Sequence, residues 1–227
     1  MSDFTATLGP VPRDPIPVPV KTVARWTGRL PAPLLEIWAQ YGFADFAGGR
    51  AHFIDPARLA PVISFIFGDD PDFAHDTHAI AYGDLGEVIV WSQRYGYGFL
   101  SPVLSTIEMP NLTAQTLTPP EPQFIDMVLN LPADLIETFD PAGEKVYDRL
   151  TKLLGPLPYG MMYGTTPAPP PAEGIPVDHY VIAEVDDWLE AVYTERAVSV
   201  VDWGRPQPMI RFLGKPWPRG MKGNLPL

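Results

Sequence analysis

His78-Ala-Ile-Ala-Tyr-Gly-Asp-Leu-Gly-Glu-Val-Ile-Val-Trp91 is the stretch on which the fold turns. Two short runs rich in apolar and β-branched residues flank the turn Gly83-Asp-Leu-Gly86, a hairpin signal. Tyr95-Gly-Tyr-Gly98 follows as a second turn, Phe99–Leu104 as a third strand, and residues 113–118 as a further edge. Working back from the hairpin, the spacing changes from two to 3.6. Leu59, Val62, Ile63, Ile66 and Phe67 form one helical stripe. Asp55 stands as its N-cap, Pro56 at its first position and Gly68 at its end, with Pro61 blurring where it begins. Leu34, Ile37, Trp38 and Tyr41 define an earlier helix between Pro31 and Gly42. The first half therefore reads as helices packed on an antiparallel sheet.

Residues 1–20 carry prolines at 10, 12, 15, 17 and 19 and read as an extended surface arm. Thr118-Pro-Pro-Glu-Pro122 marks a boundary. Beyond it, three apolar sets read as amphipathic helices: Phe124, Met127, Val128, Leu131; Val146, Leu150, Leu153, Leu154; and Val185, Trp188, Leu189, Val192. Pro167-Ala-Pro-Pro-Pro171 is a stiff spacer, and Ala197–Val201 a terminal strand. The expected class is α+β: an arm at 1–20, a helix-and-sheet domain at 21–118, a smaller mainly helical domain at 121–203, and a basic, proline-rich tail at 204–227.

Cysteine is absent, which removes disulfides, thiol nucleophiles and zinc–thiolate sites. Neither a signal-peptide pattern at Met1–Pro10 nor a run of ~18 apolar residues occurs, so a cytoplasmic protein without a membrane span is expected. The net charge of -11 is uneven. Residues 121–203 hold 15 acids against 4 bases, whereas 204–227 hold 5 bases and no acid. Such a body repels phosphate, which argues against nucleic-acid binding and suits a basic partner.

No phosphate loop, nucleophile elbow, dinucleotide fingerprint or zinc-protease motif is found, and no cofactor is implied. Asp69, Asp70, Asp72, His75, Asp76 and His78 form the densest cluster of ligand-type side chains. A solvated loop is the plainer reading, with the three leading aspartates as a candidate partner-binding patch. Gly160-Met-Met-Tyr-Gly164 reads as a tight turn plugging the core. Glu184, Asp186, Asp187 and Glu190 surround one helix with no base between them. Asp186 and Glu190 form a like-charged i,i+4 pair, which costs a few tenths of a kcal/mol. A docking face for a basic protein accounts for that arrangement, and a merely solvated face is the alternative.

Leu30-Pro31, Leu34-Leu35, Trp38, Tyr41-Gly42, Phe53, Asp55-Pro56 and the Gly83-to-Trp91 hairpin resemble the bacterial GAD-like domain. Leu150, Leu153-Leu154-Gly155, Leu157, Gly160 to Gly164 and Pro167 look like the small domain that often follows it, although Met161 stands where a Glu is expected. The pairing, across residues 20–203, is similar to immunity proteins of type VI secretion DNase effectors. The resemblance implies a non-enzymatic inhibitor that neutralises a cognate toxin by covering its basic substrate cleft. Two other classes stand beside it: a metal-dependent hydrolase using the Asp69–His78 cluster, and a small-ligand-binding regulatory module.

Overall fold

A computed structural model describes residues 16–109, 112, 130–168, 174–202 and 209–214. Its elements, in chain order, are α1 (Val20–Trp26), α2 (Ala32–Tyr41), β1 (Asp45–Phe46), β2 (Ala51–Phe53), α3 (Pro56–Phe67), β3 (Thr77–Gly83), β4 (Val88–Ser92), β5 (Gly96–Ser101) and β6 (Thr106–Glu108). After these come α4 (Tyr147–Leu154), β7 (Met161–Thr165), β8 (Tyr180–Glu184), α5 (Val185–Glu195), β9 (Ser199–Asp202) and β10 (Met209–Phe212). The protein is α+β, built on a large, mainly antiparallel sheet.

The sheet has eight strands in the order β1-β2-β3-β4-β5-β6-β9-β10. The hairpin quoted above is its centre: Tyr82 faces Val88 and His78 faces Trp91. A register shift between Ala79 and Ala81 marks a bulge, so inward and outward positions change sides partway along β3. Both faces are covered. Ile80, Ile89, Trp91 and Tyr97 pack with Trp26, Leu34, Ile37 and Trp38 of α1 and α2. Tyr82, Val88, Val90, Leu100 and Ile107 pack with Leu59, Val62 and Ile63 of α3 and with Trp188, Leu189 and Val192 of α5. A smaller apolar cluster joins Leu85 of the hairpin turn to Val146, Leu150, Tyr163 and Tyr180.

The expected helix boundaries agree with those observed in α2 and α3, and the expected stripe of Val185, Trp188, Leu189 and Val192 lies on the buried face of α5. Asp55 caps α3, its carboxylate accepting from Ala57 N at 3.0 Å and from Trp26 Nε1 at 3.0 Å. Helix α3 runs through Pro61, which lies on its exposed side.

The second half departs from the expected smaller, mainly helical arrangement. Its described residues form two α-helices and four strands. Met161–Thr165, read as a turn, is a strand paired with Tyr180–Glu184. Strand β9 joins the N-terminal sheet by parallel pairing with β6 (Ile107 against Val200), and β10 extends it. Met209–Phe212, assigned to a tail, is therefore a sheet edge. The Met-Ile-Arg-Phe alternation is too brief to stand out in a segment whose plainest feature is its positive charge. Several expectations fall outside the described residues: the first fifteen positions of the arm, the strand at 113–118, the boundary at 118–122, most of the helix at 124–131, the end of the 167–171 spacer and the rest of the tail.

Candidate functional site

Helix α5 follows β8 directly, with Glu184 at its N-cap position. Val185, Trp188, Leu189, Val192 and Tyr193 bury the inner face. Trp188 donates from Nε1 to the Thr165 carbonyl at 3.2 Å, tying α5 to β7. The acids are thereby turned outward, and they divide into two pairs. Arg58 of α3 bonds Glu184 at 2.5 Å, Asp186 at 2.9 Å and the Gly160 carbonyl at 3.3 Å. Burial opposes its charge, yet the two carboxylates more than compensate and raise its pKa. The expectation of an uncompensated acidic helix is thus corrected for Glu184 and Asp186, because the compensating base comes from a distant helix. Asp187 and Glu190 are exposed, and no base is bonded to them among the described residues. With Glu195, Thr194, Ala191 and Ala168 they line a shallow groove.

The Asp69–His78 cluster is not a solvated patch. Asp70 is 1% exposed. Its carboxylate takes both guanidinium nitrogens of Arg211 from β10, with the second contact at 2.9 Å, and it also accepts from Gly214 N at 3.0 Å. Asp72 accepts from Arg211 at 2.9 Å and from the Tyr95 hydroxyl at 3.2 Å. Asp76 accepts from the Ser92 hydroxyl and from Arg94 N. His78 packs edge-on against Trp26, its ring centre 5.0 Å away. Only Asp69 and His75 face solvent freely. Asp70 and Asp72 thus hold the last strand of the sheet and are not displayed on a docking surface. Among the described residues, no group of three or more His, Asp or Glu is arranged to hold a metal ion.

A third polar cluster lies where the β3–β4 turn meets the second half of the chain. His52 of β2 sits between two carboxylates, Asp45 at 2.7 Å from Nδ1 and Asp84 at 2.5 Å from Nε2. Burial works against a charged ring, but both partners overcome it and push the pKa up to about 9. Asp84 also accepts from the Tyr147 hydroxyl of α4 at 2.6 Å, and its carbonyl accepts from Tyr163 N at 2.8 Å. One turn residue therefore links β2, α4 and β7. Arg50 lies 3.8 Å over the Tyr147 ring and bonds Glu137 at 3.2 Å. Beneath this, Glu87 is buried with no partner for Oε2, and burial pushes its pKa up to about 8. No motif marks these residues. The one available signal was Asp84 in a hairpin turn beside an apolar strand.

Residues 2–100 match the family model of the GAD-like domain. The whole fold is similar to that in the crystal structure of Atu4351 from Agrobacterium tumefaciens. That likeness has a TM-score of 0.78 at 20% identity and covers 90% of this chain and 94% of the other. It is a likeness of fold, and it spans both halves. No curated protein matches the chain. No helix among the described residues is long and apolar enough to cross a membrane.

Proposed function

We propose that the chain is an immunity protein that binds a cognate bacterial toxin and blocks it without turnover. The observation that carries this reading is the GAD-like domain at residues 2–100, from a family associated with immunity proteins. The α5 face supplies a chemistry for it. A nuclease cleft is basic because its substrate is a polyanion, and an exposed, uncompensated pair such as Asp187 and Glu190 attracts such a surface. Resemblance to immunity proteins of type VI DNase effectors makes a secreted DNase the favoured target and the cytoplasm the place of action. Glu184 and Asp186 contribute less to attraction, since Arg58 is paired with both and offsets one of their two charges.

The test is to sequence the genes flanking this one and to co-express the chain with any toxin-domain protein that they encode. Growth should be rescued, and the purified pair should associate at a rate that falls with salt. Replacing Asp187 and Glu190 by Asn and Gln should slow association about two- to tenfold and flatten that salt dependence, with little change in dissociation. Continued killing in the presence of the folded chain would reject the neutralising role.

A further inference from the structure

Strand β8 has an open edge, and its hydrogen-bond pattern shows which groups lie along it. Thr166 N donates to the His179 carbonyl at 2.9 Å, and Val185 N to the Gly160 carbonyl at 3.0 Å. Both bonds share the register that sets Met161 against Glu184 and Tyr163 against Ile182. Bonded and non-bonded pairs alternate along an antiparallel ladder, so Val181 and Ala183 bond to β7. The N–H and C=O of Tyr180 and Ile182, and the N–H of Glu184, then point off the far side. On β7 the corresponding outward N–H, that of Tyr163, is taken by the Asp84 carbonyl. On β8 no such acceptor or donor is found among the described residues.

The same strand exposes Val181 at 43% and Ile182 at 37%. Natural sheets guard their edges with lysine, proline or a bulge, and Tyr180-Val-Ile-Ala-Glu184 has none of these. Strand β10, the other long edge, differs, because the Phe212 carbonyl accepts from the Arg211 side chain. Two features of β8 point to what covers it. Its one charged side chain, Glu184, is already paired with Arg58, so two such edges meet without a bare charge between them. Its outward residues are also self-complementary. A two-fold axis at Ile182 sets Ile182 against its own counterpart and Tyr180 against Glu184, with no like charges opposed.

We propose that β8 pairs antiparallel with β8 of a second copy, forming a continuous four-stranded β7-β8-β8-β7 sheet in a two-fold dimer. Each Ile182 exchanges both backbone bonds with its counterpart, and each Glu184 N–H meets the other copy's Tyr180 carbonyl. The contact is small beside the roughly 1,200 Å² of stable complexes, so monomer and dimer exchange readily and the balance follows concentration. Both copies carry a net charge of -11, so salt should strengthen the dimer by screening.

Sedimentation velocity of the full chain, from about 5 to about 500 µM and at low and high salt, tests this. The expected result is a shift from the 25.1 kDa monomer towards twice that mass, larger at high salt. Ile182→Lys should weaken association at least about tenfold, because it places two like charges opposite one another on the axis. Ile182→Pro should do the same by removing an outward N–H while leaving the β7–β8 bonds intact. Circular dichroism checks that each variant is folded. If Ile182→Pro unfolds, the lysine variant decides alone, together with hydrogen exchange at the Ile182 and Glu184 amides, which should slow with concentration. A monomer at every concentration overturns the proposal and leaves the edge to a strand of another protein. A dimer unmoved by Ile182→Lys overturns it too.

Discussion

Asp69-Asp70-Pro-Asp72 and Glu184-Val-Asp186-Asp187 are alike on paper, and the fold treats them in opposite ways. In the first, two carboxylates turn inward and close on Arg211, which arrives from a strand some 140 positions later. In the second, Arg58 reaches across from α3 and pairs with Glu184 and Asp186, while Asp187 and its neighbour Glu190 stay in water. An acidic run is thus neither a site nor a solvated surface by itself. Which it becomes depends on whether a distant arginine can reach it. Glu87 is a third case: it is buried, no arginine is bonded to it among the described residues, and burial pushes its pKa up to about 8.

The sharpest way to break this contrast is to remove the inward base. Arg211→Ala leaves Asp70 buried and unpaired and should cost about 3–5 kcal/mol in urea unfolding. Arg211→Met combined with Asp70→Leu should recover much of that loss, because both charges leave together.

The buried acid comes next. Glu87 keeps its proton in the folded state up to about pH 8, whereas the unfolded chain releases it near the ordinary carboxylate value. Stability should therefore fall as pH rises between those points, and Glu87→Gln should flatten that slope. His52 works in the same direction over a higher window. Its raised pKa gives stability that is complete below about 6.5 and is lost as pH approaches about 9. His52→Asn should remove the fall above about pH 8, lessen it between about 6.5 and 8 where Glu87 also contributes, and leave the lower part in place.

Arg58→Met should change stability by no more than about 1 kcal/mol, since its partners are half-exposed. It should nevertheless speed association with a basic partner, because Glu184 and Asp186 lose their counter-charge. Smallest in stability is Asp187→Asn with Glu190→Gln, within about 0.5 kcal/mol by thermal unfolding. An effect on folding equal to that of Arg211→Ala would mean that α5 also turns its acids inward, and the contrast would collapse.

The legible parts of the fold were local. Leu34, Ile37 and Trp38 line the buried face of α2, Asp55 and Pro56 begin α3, and Gly83–Gly86 turns the central hairpin. Each is fixed by spacing or by a cap within a few residues. What escaped was long-range. Strand β8 alternates poorly, since Val181 and Ile182 are both exposed beside buried Tyr180, so it carries no period to detect. The pairing of β6 with β9 leaves no trace in either strand. For the candidate surface, Asp187 and Glu190 were readable as exposed acids. The capture of Asp70, Asp72, Glu184 and Asp186 depended on Arg211 and Arg58, whose positions only the assembled sheet determines.

The parallel contact between β6 and β9 has a consequence for how the chain is made. About ninety residues separate the two strands. At roughly 5–20 residues per second, a ribosome needs about 5–20 s to cover that interval. Throughout it the hairpins β3 to β6 can already have closed, while the outer side of β6 waits for a strand that does not yet exist. The nascent chain thus carries, for seconds, an unfinished sheet that the mature protein never shows.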